Sequence, residues 1–366
     1  MLDFTSALYL GLEHPARSLE GWERLTLGKP AALEPPPGSQ EIEPELARLI
    51  GCERALLTTS TLHLFWDLLA ILAGRDVQIF LDSGTYPIAR WGVEHAATAG
   101  ILVRSFRQHD PQALRAALES AGGRPIVVTD GFCPSCGTPA PLTEYLGHAA
   151  DRGGLVVVDD TQALGIFGHS PGPLAPYGKG GGGSLQRAEL RDRRILMASS
   201  LAKAFGIPVA VLAGSNALVS EYERKSATRM HCSPPSAAVI AAAANALGIN
   251  RRCGDVLRFR LAQLVARLRR GLHELNLIAT GGLFPVQSLR LPKRIEASVL
   301  HKLLLDRGVQ TLLHRGNDSA VARLTFVVTV QHTSGEIDRA VGCLTDALAY
   351  GPWRGMERSK RQWQVN

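Results

Sequence analysis

The chain has 366 residues, 45% hydrophobic and 20% charged, with a formal charge of +7. That is the composition of an ordinary soluble globular protein, long enough for one large domain plus a smaller one. It excludes a membrane span, since no apolar run approaches ~18 to 20 residues, and its six cysteines in a chain this size do not suggest a disulfide framework.

The opening stretch MLDFTSALYLGLEH has no basic region ahead of an apolar one, so no signal peptide is expected and a reducing, cytoplasmic setting is. The positive charge comes largely from arginines scattered through helical stretches such as 258–270. Only the tail from Arg354 to Arg361 is a basic cluster. No recognition motif accompanies it, so nucleic acid is not an expected partner.

The first 45 residues mix apolar words with turn chemistry and break at Pro35-Pro36-Pro37-Gly38. From Glu45 a helical pattern carries Leu46, Leu49 and Ile50 and stops at Gly51. Strand-sized apolar runs follow at 55–57, 77–81, 101–103, 126–128, 155–158, 195–198 and 209–213. Each is apolar on both faces, as a buried parallel strand is. Helix candidates such as 111–120 and 142–152 separate them. The alternation predicts an α/β fold with a mostly parallel seven-stranded sheet covered on both sides.

Near residue 250 the pattern changes. A long amphipathic helix is predicted over 255–275, then strand 286–291, helix 296–307 and strand 322–330. Thr333-Ser334-Gly335-Glu336 fits a capping box that opens a last helix through 348. The expected division is an arm at 1–45, a large domain at 46–248 and a small α+β domain at 249–366. The tetraglycine at 180–183 lacks the Lys-Ser/Thr ending of a phosphate-binding loop and reads as a flexible loop.

Ligands of α/β sheets bind beyond the carboxyl ends of the strands. Two such ends carry unusual residues: 155–158 runs into Asp159-Asp160-Thr161-Gln162, and 195–198 into Ser199-Ser200-Leu201-Ala202-Lys203. A structural ion pair is one reading, since an acid and a lysine are costly to bury without partners. The other is the chemistry of pyridoxal phosphate (PLP). It needs a lysine amine to form a Schiff base and move protons at the substrate carbon. It also needs a carboxylate facing the pyridine nitrogen, and hydroxyls such as Ser200 with backbone N–H groups at a helix start for the phosphate.

The chain resembles the α-oxoamine synthases, the PLP family that includes 8-amino-7-oxononanoate synthase and 2-amino-3-ketobutyrate CoA ligase. The resemblance is carried in order by Asp3-Phe4-Thr5-Ser6 with Tyr9-Leu10-Gly11-Leu12; Glu45-Leu46-Ala47; Asp130-Gly131 through Ala140-Pro141-Leu142; Val158-Asp159-Asp160 through Gly168; Ser200-Leu201-Ala202-Lys203-Ala204-Phe205-Gly206; and His332-Thr333 with Ile337-Asp338. It implies the PLP-dependent transferase fold type I and a homodimer with shared active sites. Lys203 is then the Schiff-base lysine and Asp159 the partner of the pyridine nitrogen. Ser200, and Ser60, Thr61 and Leu62 after the first strand, fall at phosphate contacts, with Thr61 in place of the family's glycine. Ser233 falls near a segment that reaches the neighbouring subunit's phosphate.

Four departures bear on the reaction. Tyr86 stands where the family stacks a histidine on the cofactor ring; an aromatic stacks equally well but carries no near-neutral proton. Gln162 replaces a histidine beside the phenolic oxygen and can still donate a hydrogen bond. Pro134 replaces a serine that faces the ring, with Ser135 next to it. Thr325 replaces the arginine that grips the amino-acid carboxylate, and a hydroxyl does not replace a bidentate guanidinium. Either Arg315 or Arg323 binds that carboxylate, or the amino substrate has none.

Other features have plainer readings. Cys133-Pro134-Ser135-Cys136 lacks the further ligands a zinc site needs, so no metal is expected. His95, His109, Trp66 and Trp91 read as surface or core residues, while His169 and His231 are candidates for the base lost at position 86. Three functions follow. The first is decarboxylative condensation of an amino acid with an acyl-CoA or acyl-carrier-protein thioester. The second is an aminotransferase or other PLP reaction of a specialised pathway, favoured by the departures. The third is a non-catalytic protein of the same fold, which the retained Asp159, Ser200 and Lys203 disfavour.

Overall fold

The computed structural model describes residues 1–15, 25–74, 76–315 and 322–354. The chain forms two compact units, one of Leu12–Cys133 and Pro139–Val256, the other of Met1–Gly11, Pro134–Thr138 and Leu257–Asn366. Residues 1–45, expected as one arm, are thus divided after Gly11, and the expected boundary at 248 falls at Val256, inside a helix. Residues 355–361 of the basic tail lie outside the described residues.

The first unit is built on seven strands: β1 (Arg54–Thr58), β2 (Val77–Asp82), β3 (Leu102–Phe106), β4 (Arg124–Asp130), β5 (Leu155–Asp159), β6 (Ile195–Ser200) and β7 (Ala210–Gly214). Their spatial order is β1-β7-β6-β5-β4-β2-β3. From β6 to β3 all neighbours are parallel, whereas β7 is antiparallel to both β1 and β6. The mostly parallel sheet is as expected, with two corrections. The run at 209–213 belongs to the antiparallel strand. The run at 101–103 belongs to an edge strand with Leu102 exposed; with a neighbour on one side alone, it is not buried on both faces.

The core lies where the sheet meets α2 (Thr61–Leu72) and α3 (Pro87–Thr98), which follow α1 (Ser39–Ile50). Leu56, Ile79, Val128, Val157, Ala198 and Leu212 pack with Leu64, Phe65, Leu68, Ala89, Val93 and Ala96 in one buried cluster. Each large aliphatic or aromatic side chain buried there contributes about 1.5–3 kcal/mol. Gly92 makes the α2–α3 approach possible: a Cβ there would lie 2.6 Å from the Phe65 carbonyl oxygen. Helix α1 starts at Ser39, earlier than the expected Glu45, because Gly38 in the left-handed region (φ 81°) turns the chain into it and Pro44 interrupts its pattern from within.

The segment around the four glycines is not a loose loop. Gly165 N–H donates to the Gly181 carbonyl, Gly183 N–H to that of Phe167, and Gly180 N–H to Asp255 Oδ1 at 2.9 Å. Glycine is needed there because the turn uses positive φ at Gly180, Gly181 and Gly183.

The long helix Ala237–Glu274 begins well before the expected residue 255. Its Ala-rich start gives little contrast between faces, yet Ile240, Ala243 and Leu247 are buried at helical spacing, as are Leu261, Val265, Leu268 and Leu272 further on. The second unit carries a four-stranded antiparallel sheet of β8 (Ile278–Thr280), β9 (Val286–Arg290), β10 (Leu312–Arg315) and β11 (Ala322–Val327), in the order β8-β9-β11-β10. The helix Ser334–Tyr350 opens with the predicted capping box between Thr333 and Glu336.

The chain's two ends meet in this unit. Leu2 and Asp3 pair with Val309 and Gln310, and Phe4 is buried against Phe326 and stacked on His332 with ring centroids 4.3 Å apart. Thr329 N–H donates to His332 Nδ1 at 3.0 Å, so Nε2 carries the proton that reaches the Asp3 carbonyl at 3.0 Å.

Candidate active site

Strands β1, β2, β4, β5 and β6 end at Thr58, Asp82, Asp130, Asp159 and Ser200 along one edge of the sheet. Register sets Asp130 opposite Asp159, Asp159 opposite Ala198, and Ala210 opposite both Thr58 and Ser200. Parallel strand direction therefore gathers the chemistry-bearing residues of the first unit in one row.

Asp159 is buried, and Thr161 N–H donates to its Oδ1 at 3.0 Å. The Thr161 hydroxyl accepts the Ser200 N–H at 3.0 Å, so one threonine ties the ends of β5 and β6. Burial pushes the Asp159 carboxyl up, while the Thr161 hydrogen bonds and the Lys203 charge oppose that rise. Gln162 lies half-buried in the same turn.

Lys203 follows β6 in a tight turn closed by Leu201 N–H to the Val209 carbonyl and by Ala202 N–H to Ser200 Oγ at 3.2 Å. His14 braces this turn through its Nε2 contact with the Phe205 carbonyl at 2.9 Å, with Asn245 on its other nitrogen at 3.1 Å. Burial pushes the Lys203 amine down, and Asp159 and Asp130 act against that. The amine faces the ring of Tyr86, 5.9 Å from its centroid.

Asp130 was not among the expected site residues. Its two carboxylate oxygens accept the Tyr86 N–H at 3.1 and 3.2 Å, fixing the residue that caps α3. Burial and then the Asp159 charge push its carboxyl well up; the Tyr86 N–H and Lys203 pull the other way. A signal was present, since β4 is as apolar as β5 and ends in the same residue type. Asp82 fixes the turn before Tyr86 by accepting from Gly84 N–H, His109 N–H, the Thr129 hydroxyl and the Tyr145 hydroxyl.

Asp160 is separate from this row. Its Oδ2 accepts the Ser184 N–H at 3.0 Å, and its Oδ1 is buried with no hydrogen-bond partner. Burial pushes the carboxyl up to about 7. Gly131 and Gly183 leave room for it, since a Cβ on either would lie 2.3 or 2.0 Å from its oxygens.

Ser60 caps α2: its Oγ accepts the His63 N–H at 3.3 Å and lies 2.7 Å from His63 Nδ1. Thr61 and Leu62 are the first helical residues, so their N–H groups point out of the positive end of α2. The Thr59 hydroxyl donates to the Ser233 carbonyl at 3.1 Å, which brings Ser233 to the end of β1. His169 and His231 are exposed, and neither hydrogen-bonds to the strand-end row.

The remaining expected residues belong to the second unit. Ser135 lies in its 134–138 segment. Thr325 is buried, with its hydroxyl 2.7 Å from Ser288 Oγ and 2.9 Å from His314 Nε2. Arg323 shares the Thr325 face of β11 and pairs in register with His314. Arg315 ends β10; its side chain lies outside the described residues. Among the described residues no cluster of metal-ligating side chains occurs.

The family model for aminotransferase class I and II matches residues 6–344. The chain belongs to this family. Within the aminotransferase class I and II family it is similar to 8-amino-7-oxononanoate synthase of Pseudomonas paraeruginosa, 27% identical over 98% of this chain and 87% of that protein. It shares its fold with a serine palmitoyltransferase variant of S. paucimobilis solved with a bound PLP–myriocin aldimine (TM-score 0.81, 18% identity, 94% of this chain and 87% of that one). The 8-amino-7-oxononanoate synthase of Francisella tularensis is comparably similar (TM-score 0.78, 18% identity, 96% and 98%). The fold is the PLP-dependent transferase fold type I.

The donors present fit a phosphorylated pyridine aldehyde. They comprise a half-buried amine with lowered proton affinity, a carboxylate at the neighbouring strand end, an aromatic face beside the amine, and a helix N-terminus flanked by hydroxyls.

Proposed function

We propose that this chain is a PLP-dependent α-oxoamine synthase that condenses an amino acid with an acyl thioester. The observation that carries the reading is the half-buried Lys203 amine just past the end of β6, which faces the Tyr86 ring and feels the charges of Asp159 and Asp130. Lys203 would hold PLP, Asp159 would serve its pyridine nitrogen, Tyr86 its ring, and Ser60, Thr61, Leu62 and Ser200 its phosphate. Gln162 and Ser233 would complete the lining. PLP, when bound, draws electrons from the bonds at the substrate α-carbon. Asp159 sustains that by keeping a proton on the pyridine nitrogen, and Lys203 Nζ, its proton affinity lowered by burial, takes the α-proton. A bond would then form from the α-carbon to the acyl carbonyl as the thioester C–S bond breaks, the departing thiolate taking a proton from solvent, and the α-carboxyl would leave as CO₂ while Lys203 Nζ returns its proton to the α-carbon.

The Thr325 hydroxyl is engaged by Ser288 and His314, which supports Arg323, or Arg315, as the group that meets a substrate carboxylate. The Arg323 side chain makes no hydrogen bond or ion pair among the described residues. The protein works as a homodimer in the cytoplasm, a compartment that suits six free cysteines.

The test is to incubate the PLP-loaded protein with amino acids and acyl-CoA and measure free thiol and CO₂. Release of both, dependent on both substrates, is expected. Oxo-acid formation from the amino donor alone, with no thiol release, would establish the aminotransferase reading instead.

A further inference from the structure

We infer that Asp130 is a positioning residue for this reaction, setting at once the place of the Tyr86 ring and the proton balance of Lys203. The inference rests on the reading of Lys203 as the PLP-bearing lysine.

The geometry is local and specific. Both oxygens of Asp130 engage a single backbone N–H, that of Tyr86, at 3.1 and 3.2 Å. Tyr86 is the cap of α3 and is followed by Pro87, which offers no N–H of its own. The carboxylate therefore anchors the start of α3 where the cap side chain makes no capping bond, and the ring so placed lies over the Lys203 amine. Register puts Asp130 directly opposite Asp159 on the neighbouring strand, and Gly131 N–H donates to the Asp159 carbonyl at 2.8 Å.

The charges that face Asp130 are Asp159 from β5, Asp82 from β2 and Lys203 from the turn after β6; the Tyr86 N–H reaches it from the start of α3. Lys203 is the sole cation among them. Both carboxylates act on the one amine, so the amine's charge depends on both. Neither exposed His169 nor exposed His231 bonds into the row. Asp130 is the titratable group that the fold attaches to residue 86, and it acts on the chemistry through Tyr86 and Lys203 rather than on the substrate.

The test uses the PLP-loaded protein and follows its cofactor absorbance against pH, which reports the proton on the lysine nitrogen without any turnover. Asp130→Asn removes the charge but keeps an oxygen for the Tyr86 N–H. The midpoint should fall by roughly half a pH unit or more, because a carboxylate that favours the protonated nitrogen has gone, while the circular dichroism of the bound cofactor is retained. Asp130→Ala removes both functions and should lower the midpoint and weaken that dichroism. Asp130→Glu should move the midpoint back toward wild type, and it keeps the test available if the alanine protein does not fold. An Asp130→Asn protein titrating within about 0.1 unit of wild type would overturn the inference. Wild-type protein that takes up no PLP would overturn the function proposed above, and this inference with it.

Discussion

The Nζ of Lys203 stands 5.9 Å from the centre of the Tyr86 ring, although 117 residues separate the two in the chain. The relationship arises because β2 and β6 end on the same edge of the sheet, and because Asp82 and Asp130 hold the turn that carries Tyr86. Lys203→Ala should therefore abolish the covalent absorbance of bound PLP and lower turnover by about 10³-fold or more, within the range of lost acid–base and covalent catalysis. Retention of the shifted absorbance would reject Lys203 as the attachment point.

Asp159 is buried, and that burial pushes its carboxyl up. A raised acid loses stability for the fold as pH climbs through its folded pKa, since the folded state then gives up a proton at a cost. Asp159→Asn should thus leave the cofactor-free protein at least as stable as wild type at pH 8, yet reduce turnover by about 10²-fold or more. Urea unfolding and steady-state rates on the same preparation check both.

Asp160 gives the clearest pH dependence, with a carboxyl at about 7 against an ordinary value of 3.8. Its contribution is complete below pH 3.8, declines as pH rises through about 7, and is flat beyond. Asp160→Asn should remove that slope, so that the gap between variant and wild type changes by on the order of 2–4 kcal/mol in the variant's favour between pH 4 and pH 8. Denaturant melts at the two pH values measure it; parallel curves would contradict the assignment.

Thr325 and Arg323 separate support from recognition. Thr325→Val strands the Ser288 and His314 partners of a buried hydroxyl, which should cost about 1–3 kcal/mol in unfolding free energy. Arg323→Ala should leave stability nearly unchanged and raise KM for a carboxylate-bearing amino substrate about tenfold or more, as loss of a charge-assisted hydrogen bond does. Equal KM for amino acids in wild type and variant would move the role to Arg315.

Several features were legible because they are local. Apolar strands of fixed length separated by helix-sized segments required an α/β sheet, and the acid and lysine stood out at the ends of two of its strands. The box at Thr333 and Glu336 follows from side chains three residues apart. The start of the long helix was not legible, since alanines at 241–244 suit either face and give no periodicity to read. The glycine turn at 180–183 was misread as loose because its partners, Asp255 among them, are remote in sequence.

The sequence by itself determined the fold class, because alternating strand- and helix-sized segments depend on composition and spacing within short stretches. The tertiary structure alone decided which distant groups share one edge of the sheet. Asp130 came to lie opposite Asp159 through strand register, and the Thr325 hydroxyl gained a hydrogen-bonded neighbour on each adjoining strand. Hydrogen bonds and electrostatic interactions act over a few ångströms of space, and only the folded chain sets those distances.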